Sequence, residues 1–324
     1  MAETIDCLDE PDEALSAAVD WLSAGVPVAI PTETVYGLAA DATNADAIAK
    51  IYEIKGRPLH NPLICHMSDI AMAESHVIFD PVALLLARTF WPGPLTLVLP
   101  RHDDSPIDPA AGAGLPTLAV RVPEGFARTL ITRFGKPLAA PSANRSGAIS
   151  PTTAAHVEAD LGEKLALIID GGACSVGVES TILLSEAGQL TLLRPGGITV
   201  EDIERVSGQT VLRRGATGGP LLAPGMMASH YAPETPMRLE ATHVEAGEVL
   251  ITFGGKMVQG QTFAEAIFDL SPAGHLDEAA THLFDILKQA DAAGGKGIAV
   301  CPIPAAGIGE AINDRLMRAA APKG

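Results

Sequence analysis

The residues most able to do chemistry in this sequence are cations and small polar side chains at the ends of predicted helices and strands. Lys55 and Arg57 form a Lys-Gly-Arg-Pro segment where a helical pattern stops. The glycine permits a sharp turn and Pro58 prevents the helix from continuing, so both cations project from a fixed corner. They indicate either an anion site or a helix C-terminus whose dipole they complement.

Two arginines interrupt strand patterns that are otherwise apolar. Arg121 is the single charge in TLAVRVP (117–123), and Arg194 ends LTLLR before a Pro-Gly-Gly turn. A guanidinium in an apolar strand needs an anionic partner, unless the strand lies at a sheet edge. That partner is either a ligand or a carboxylate of the chain. Together with Lys-Gly-Arg, the two arginines suggest a pocket for a multiply charged anion.

Small polar residues follow other strand patterns, and each of these segments is ambiguous when taken singly. PSANRSG (141–147) offers hydroxyls, an amide and backbone N–H groups to phosphate oxygens, although it is equally typical of an ordinary turn. Thr34 either binds a ligand or caps a turn. His66 ends a strand pattern, and Glu179-Ser180-Thr181 opens another.

Familiar fingerprints of nucleotide and metal chemistry are missing from the sequence. It has no G-x-x-x-x-G-K-[ST], G-x-G-x-x-G or G-x-S-x-G segment, and its nine histidines form neither H-x-x-x-H nor H-E-x-x-H. The four cysteines stand far apart without a C-x-x-C pair. We therefore expect no dedicated metal site and no disulfide framework.

Composition excludes several classes of protein. Hydrophobic residues make up 47% of the 324 residues, enough for a sizeable core, and the net charge is −17. So acidic a chain disfavours nonspecific binding to nucleic acid or to anionic membranes. No apolar run approaches a membrane span of about 18 residues, and the acidic N-terminus does not resemble a signal peptide. We expect a cytoplasmic protein.

The helices and strands that must position these residues alternate along only part of the sequence. Helical patterns cover 12–24, 44–56, 81–90, 124–134, 152–161 and 200–206. Strand patterns cover 26–30, 62–66, 95–100, 117–123, 137–142, 165–170, 180–184 and 190–194. Because several strands follow one another without a helix between them, we predict a mixed α/β (α+β) fold with a twisted sheet.

The remainder of the chain predicts a linker and a second domain. Residues 213–236 are rich in Gly, Pro and Ala and lack hydrophobic periodicity, and a loop of this length is often functional. Beyond it, EVLITF and GIAVC alternate with helical patterns at 276–290 and 310–320. We predict a first domain over 1–208, a linker over 209–236 and a smaller, open, Rossmann-like α/β domain over 237–324.

A set of motifs in a fixed order resembles one known family. The motifs are IPTETVYGLAADA (30–42), KGRP (55–58), NPLICH (61–66), WPGPLT (91–96), VRVP (120–123), APSANRSG (140–147), DGG (170–172), ESTI (179–182) and LRPGG (193–197). Together they resemble the YrdC-like family of threonylcarbamoyl-AMP synthases over about residues 12–207. The paired K-x-R and S-x-N signature stands at Lys55, Arg57, Ser142 and Asn144. SHYAPETP (229–236) and the second domain resemble the two-domain form.

The resemblance implies a reaction and its partners. These enzymes make threonylcarbamoyl-adenylate from L-threonine, bicarbonate and ATP, release pyrophosphate and supply a separate transferase that modifies tRNA. Magnesium would accompany ATP without a dedicated protein site. Lys55 and Arg57 would be the catalytic residues. Threonine would be bound by Thr34, His66, Arg121, Ala140 and Ser180, and ATP by Lys55, Arg57, Asn61, Thr117, Ser142, Asn144, Ser150, Arg194 and Tyr231.

The linker and two rival functions complete the expectations. We expect the linker, which contains Met226, Met227, His230 and Tyr231, to lie across the mouth of the cavity with Tyr231 against the nucleotide. A binding module of the same fold without turnover is disfavoured by the acidic charge and the full polar set. A carbamoyltransferase should carry zinc-finger cysteines and an acylphosphatase-like module, and the chain has neither. An added regulatory role of the second domain stays open.

Overall fold

The chain folds around two β-sheets in this computed structural model, which describes residues 2–213, 222–225 and 229–322. The larger sheet has eleven strands among those residues. They are β1 (Glu3–Asp6), β2 (Val28–Ile30), β3 (Gly37–Asp41), β4 (Ile64–His66), β5 (Leu95–Pro100), β6 (Thr117–Arg121), β7 (Leu138–Ala139), β8 (Leu167–Asp170), β9 (Thr181–Glu186), β10 (Gln189–Arg194) and β11 (Leu212–Arg213).

Helices cover both faces of the larger sheet. They are α1 (Pro11–Ser23), α2 (Ala45–Lys55), α3 (Ile70–Glu74), α4 (Pro81–Phe90), α5 (Phe126–Phe134), α6 (Ala154–Leu161) and α7 (Val200–Ser207), with 3₁₀ turns at Pro109–Gly112 and Gly162–Lys164. One apolar cluster joins α2 and α4 to one face, and another joins α1 and α5 to the other. The larger sheet is therefore the middle layer of the first domain.

The strand order brings several predicted site residues together at one end of the central strands. The order is β1-β8-β2-β3-β7-β4-β6-β5-β9-β10-β11, with parallel and antiparallel pairs mixed. Strands β4 and β6 are parallel and pair His66 with Arg121, so both residues end their strands side by side. Strand β5 is parallel to β9, which begins directly after Ser180.

The smaller sheet belongs to the C-terminal part of the chain. Its strands are β12 (Met237–Arg238), β13 (Glu248–Thr252), β14 (Ile267–Asp269) and β15 (Gly297–Val300), in the order β12-β15-β13-β14 with every pair parallel. Helices α8 (Leu276–Ala292) and α9 (Gly309–Ala320) and a 3₁₀ turn at Gln261–Phe263 accompany it. The structure confirms the mixed first sheet and the small, open, parallel α/β unit.

Local signals located most helices correctly. Asn44 accepts hydrogen bonds from the backbone N–H groups of Asp46 and Ala47 at the start of α2, and Gly56 ends that helix in the left-handed conformation (φ 59°). Strands β1, β3, β11, β12 and β14 and helix α3 were not predicted. Strand β3 (GLAAD) is buried on both faces and consists largely of alanine and glycine, so neither alternation nor β-propensity indicates it.

The predicted domain boundaries stay a prediction. Helix α7 packs on the first domain through Val200 and Ile203. Strand β11, inside the segment predicted as a linker, pairs with β10 and so extends the first sheet to Arg213. Within the predicted linker, residues 214–221 and 226–228 lie outside the described residues; the latter range includes Met226 and Met227.

Candidate active site

A cleft lies where the central strands of the larger sheet end against the linker. The cleft is lined by Thr32, Thr34, Val35, Gly37, Arg57, Ile64, His66, Arg121, Ala140, Pro141, Ser142, Glu179, Ser180, Arg194, Pro224, Gly225, His230 and Tyr231.

The cleft brings together all five residues predicted for threonine and several of those predicted for ATP. The predicted residues among its lining are Thr34, Arg57, His66, Arg121, Ala140, Ser142, Ser180, Arg194 and Tyr231. Four more of the predicted residues are buried behind the lining and hydrogen-bond to residues in it: Lys55, Asn61, Asn144 and Ser150. Thr117 is not in the lining: it begins β6, which ends at Arg121.

Arg57, which follows the end of α2, lines the cleft, and Lys55, the last residue of α2, lies directly behind the lining; among the described residues both donate only to neutral oxygens. The Lys55 ammonium donates to the Ser142 carbonyl (2.5 Å) and to the Asn144 carbonyl. Arg57 donates from Nε to the Asn61 carbonyl (3.1 Å) and from Nη2 to the Pro62 carbonyl (2.8 Å). The K-x-R and S-x-N signatures are therefore in direct contact.

Arg194 is a third buried cation without a carboxylate in hydrogen-bond contact in the described part of the chain. Its Nη2 and Nε donate to the Ser180 carbonyl (2.9 and 3.2 Å), and Nη1 donates to the Pro224 carbonyl in the linker (3.4 Å). Burial lowers the pKa of Lys55 well below its usual value and that of Arg57 to about 10. Positive charge is thus costly in this part of the cleft, and an anionic ligand would compensate it.

Arg121, in contrast, already has a carboxylate partner. Its Nη2 lies 2.6 Å from Glu33 Oε1, Nη1 donates to Thr34 Oγ1 (2.9 Å) and Nε donates to the Gly93 carbonyl (3.2 Å). Of the alternatives left open by the sequence, the structure shows a buried salt bridge. Its function as the partner of the threonine carboxylate stays a prediction. The salt bridge fixes the orientation of the guanidinium at the cleft wall.

His66 is buried and electrically neutral beside Arg121. Burial, assisted by the charge of Arg121, lowers the pKa of His66 to about 3. Its Nδ1 has no hydrogen-bond partner among the described residues, although the residue lines the cleft. Nearby, Ser180 Oγ shares a hydrogen bond of 2.7 Å with Thr96 Oγ1, which is fully buried. This end of the cleft offers neutral polar groups to a ligand.

Glu179 is a site residue that the sequence did not single out beyond the Glu-Ser-Thr segment. Its Oε1 accepts a hydrogen bond from Ser150 Oγ (2.6 Å), and its Oε2 lies 2.8 Å from Nε of Arg315 in α9. Burial alone would raise the pKa of Glu179, but the charges of Arg315 and Arg194 outweigh it and lower the pKa to about 2. No local signal relates Glu179 to an arginine more than a hundred residues away.

The linker closes one side of the cleft. Pro224, Gly225, His230 and Tyr231 all contribute to the lining, as expected from the composition of the segment. Tyr231 is 1% exposed, and a Cβ on Gly225 would lie 2.9 Å from its hydroxyl. Burial lowers the pKa of His230 to about 3, so this residue is also neutral. The position of Tyr231 against a nucleotide stays a prediction.

Other observations concern metals, thiols and membranes. No group of three or more His, Cys, Asp or Glu side chains suited to a metal ion occurs among residues 2–213, 222–225 and 229–322. The four cysteines are free and buried. Among the helices in the described part of the chain, none has both the length and the apolar content needed to cross a bilayer.

Buried cations, neutral polar groups and a covering linker thus meet in one cleft at the end of a mixed sheet, an arrangement suited to an anionic ligand. Sequence models of two families match the chain: one described as "Telomere recombination" over residues 20–196, and one described as "Threonylcarbamoyl-AMP synthase, C-terminal domain" over residues 198–321. The chain belongs to the threonylcarbamoyl-AMP synthase family, in its two-domain form.

Individual relatives agree with this assignment. The threonylcarbamoyl-AMP synthase of Bacillus subtilis is 41% identical, over 98% of this chain and 96% of the relative. The crystal structure of Pyrococcus abyssi Sua5 complexed with L-threonine is similar with a TM-score of 0.86 and 36% identity, covering 94% of each chain. A variant of the same archaeal protein with a histidine and a tyrosine replaced by alanine has a TM-score of 0.89 at 34% identity, covering 99% of this chain and 96% of that chain.

Proposed function

We propose that the protein synthesises L-threonylcarbamoyl-adenylate from L-threonine, bicarbonate and ATP with release of pyrophosphate, the first step of threonylcarbamoyladenosine formation in tRNA. The observation that carries the proposal is the position of three buried cations at one cleft: Arg57 and Arg194 line it, Lys55 bonds to its lining residue Ser142, and none of them has a carboxylate hydrogen-bond partner among the described residues. A triphosphate supplies the negative charge that they lack. Relatives with this name, one of them solved with L-threonine, support the choice of substrates.

Arg121, which is ion-paired, and the neutral polar groups near it are suited to binding threonine. Arg121 would bind the threonine carboxylate with the N–H groups that Glu33 and Thr34 leave available. Neutral His66, with an unpartnered Nδ1, would bond to the amino or hydroxyl group. The rest of the threonine site would be formed by Thr34, the Ala140 backbone and Ser180.

The unpaired cations suit the nucleotide and the charge that develops on it. Lys55 and Arg57 would stabilise the α-phosphate and the leaving pyrophosphate, which makes them the catalytic residues. Arg194 and Ser142 would bind phosphate oxygens. Asn61, Thr117, Asn144, Ser150 and Tyr231 would complete the ATP site, and Thr117 would require that the nucleotide extend beyond the present lining.

The proposed chemistry requires protection from water. The threonine amine attacks the carbon of CO₂ derived from bicarbonate and loses a proton, or attacks bicarbonate itself with loss of water, and either route gives the carbamate. The carbamate oxygen then attacks the α-phosphorus of ATP, and the bond to the bridging oxygen of pyrophosphate breaks. Because carbamates are unstable in water, the cleft must exclude it during the reaction. The linker residues His230 and Tyr231, which are buried over the cleft, would provide that exclusion.

The charges of the protein also indicate how magnesium would bind and which other partners are expected. Glu179, which lines the cleft, and Glu33, which contacts the lining residue Arg121, are both ion-paired with arginines, so magnesium would arrive bound to the phosphates of ATP. The product would pass to a separate tRNA threonylcarbamoyl transferase. With a net charge of −17, the protein would not itself bind tRNA tightly or dock on a membrane, and we propose that it acts in the cytoplasm.

Pyrophosphate release by the purified protein tests the proposal. With ATP and magnesium present, L-threonine and bicarbonate are omitted in turn, and the adenylate is identified by its mass. We expect release only when both co-substrates are present. Release that is indifferent to threonine would contradict the proposed function, and ATP binding without any release would favour a binding module of the same fold.

A further inference from the structure

Helix α9 of the C-terminal domain contributes one fully buried arginine to the boundary with the first domain. Arg315 has no exposed surface. Its Nε lies 2.8 Å from Glu179 Oε2, and its Nη1 lies 2.7 Å from Asp314 Oδ2. Burial would lower the pKa of Arg315, but Tyr231, Glu179 and Asp314 together raise it, so the side chain is a permanent cation. A buried charge of this kind requires partners in fixed positions.

The same guanidinium covers the linker tyrosine. Its central carbon lies 5.3 Å from the centroid of the Tyr231 ring, a distance typical of a cation–π contact. Phe284 of α8 stacks on that ring at 5.4 Å between centroids. Tyr231 itself has a left-handed backbone (φ 61°), which a non-glycine residue adopts only when its surroundings hold it there. Two side chains of the C-terminal domain therefore fix its position.

Glu179, the ion-pair partner of Arg315, connects this arginine to the wall of the cleft. It lines the cleft and accepts the hydroxyl hydrogen bond of Ser150. The next residue, Ser180, accepts three hydrogen bonds from Arg194, two at its carbonyl and one at its hydroxyl. One arginine of the second domain thus touches both the covering tyrosine and the carboxylate behind the cation that we assign to phosphate.

We propose that Arg315 is a positioning residue for the nucleotide: it fixes Tyr231 and Glu179, so that the ATP end of the cleft is complete only when the C-terminal domain is docked. This assigns a function to a domain whose own sheet lies apart from the cleft. The proposal rests on the proposed function for the identity of the ligand, but its test requires only nucleotide binding. Arg315 itself need not touch the substrate.

The opposing interpretation is that Arg315 only fastens the two domains together. Fastening predicts that its loss lowers stability, or weakens both ligands alike. Positioning predicts that nucleotide binding weakens selectively, because Tyr231 and Glu179 lie at that end. Arg213 provides a matched control, since this exposed arginine forms another ion pair to α9, with Glu310, and neither residue lines the cleft.

The experiment uses the full chain and compares Arg315→Met, Arg315→Lys and Arg213→Met. A non-hydrolysable ATP analogue and L-threonine are titrated separately by calorimetry, and thermal unfolding is recorded for each variant. For Arg315→Met we expect an ATP-analogue Kd about 10-fold higher and a threonine Kd within about 2-fold of the original. Arg213→Met should change neither Kd.

Arg315→Lys keeps the charge beside Glu179 but loses the planar group over Tyr231, so it should fold and weaken the analogue by about 3-fold. This variant decides the question if Arg315→Met fails to fold. Unchanged analogue binding in the folded Arg315 variants, or equal weakening of both ligands, would overturn the proposal. Absence of threonine-dependent pyrophosphate release from the unmodified protein would instead contradict the proposed function, because the analogue titration does not depend on turnover.

Discussion

Two groups of buried cations meet at the cleft, and they differ in what compensates their charge. Among the described residues, Lys55, Arg57 and Arg194 donate only to backbone carbonyls and uncharged side-chain oxygens, whereas Arg121 and Arg315 are ion-paired with Glu33 and Glu179. A cation held by carbonyls still attracts an anion strongly, while an ion-paired cation is largely neutralised. The first group therefore suits the more highly charged ligand, ATP. In the second group, Arg121 keeps spare N–H groups for threonine, and Arg315 only positions other residues.

Removal of an unpaired cation should have the largest effect on activity and little effect on folding. We expect Lys55→Ala and Arg57→Ala each to lower kcat for pyrophosphate release by about 100-fold or more, because both stabilise charge in the transition state. Their melting temperatures should change far less than for a broken ion pair, since no carboxylate loses its partner. If either variant has a much lower melting temperature but keeps full activity below it, the replaced cation stabilises the fold and does not act in catalysis.

Replacement of the ion-paired arginine should affect threonine and stability together. Arg121→Lys cannot reproduce the contacts of a planar guanidinium with Glu33, Thr34 and a carboxylate. We expect the KM for threonine to rise by about 10- to 100-fold with a lower melting temperature, and the KM for ATP to change by less than about 3-fold. Steady-state kinetics with each substrate varied in turn measure both. A larger rise in the KM for ATP than in the KM for threonine would contradict the assignment of Arg121 to threonine.

The linker tyrosine should show a smaller effect, confined to the nucleotide end. Tyr231→Ala removes a ring buried over the cleft between Phe284 and Arg315. We expect the Kd for ATP to rise by about 10-fold and that for threonine to rise less. Titration of each ligand into the variant checks this, with Tyr231→Phe as the control that keeps the ring. Equal affinities for ATP in the alanine variant and the original protein would make the linker a spacer.

Two neutral histidines should make stability depend on pH in a defined direction. The pKa values of His66 and His230 are lowered to about 3, so between about pH 6.5 and 3 the unfolded chain binds their protons and the folded protein does not. Stability should therefore fall with falling pH in this window, by about 1.4 kcal/mol per pH unit for each histidine. Denaturant unfolding at several pH values measures the slope, which should be shallower in His66→Gln. An identical slope in that variant would argue against a buried neutral His66.

The sequence predicts the cations better than it predicts their partners. Lys55 and Arg57 follow from a helix C-terminus with Gly and Pro, a local signal that the structure confirms. The ion pairs of Arg121 and Arg315 depend instead on where distant segments meet: Glu33 and Glu179 lie 88 and 136 residues from their arginines. Periodicity contains no such information. Strand β3 was missed for a related reason, because a strand buried on both faces loses its alternation.

The most direct test of the account compares one cation from each group by equilibrium binding. L-threonine and a non-hydrolysable ATP analogue are each titrated by calorimetry into Arg194→Met and Arg121→Lys. The account predicts opposite losses: Arg194→Met should bind the analogue about 10-fold more weakly and keep its affinity for threonine, and Arg121→Lys should show the reverse. If both variants lose both ligands to the same extent, or if Arg194→Met binds the analogue unchanged, the division of the cleft into an ATP end and a threonine end is wrong.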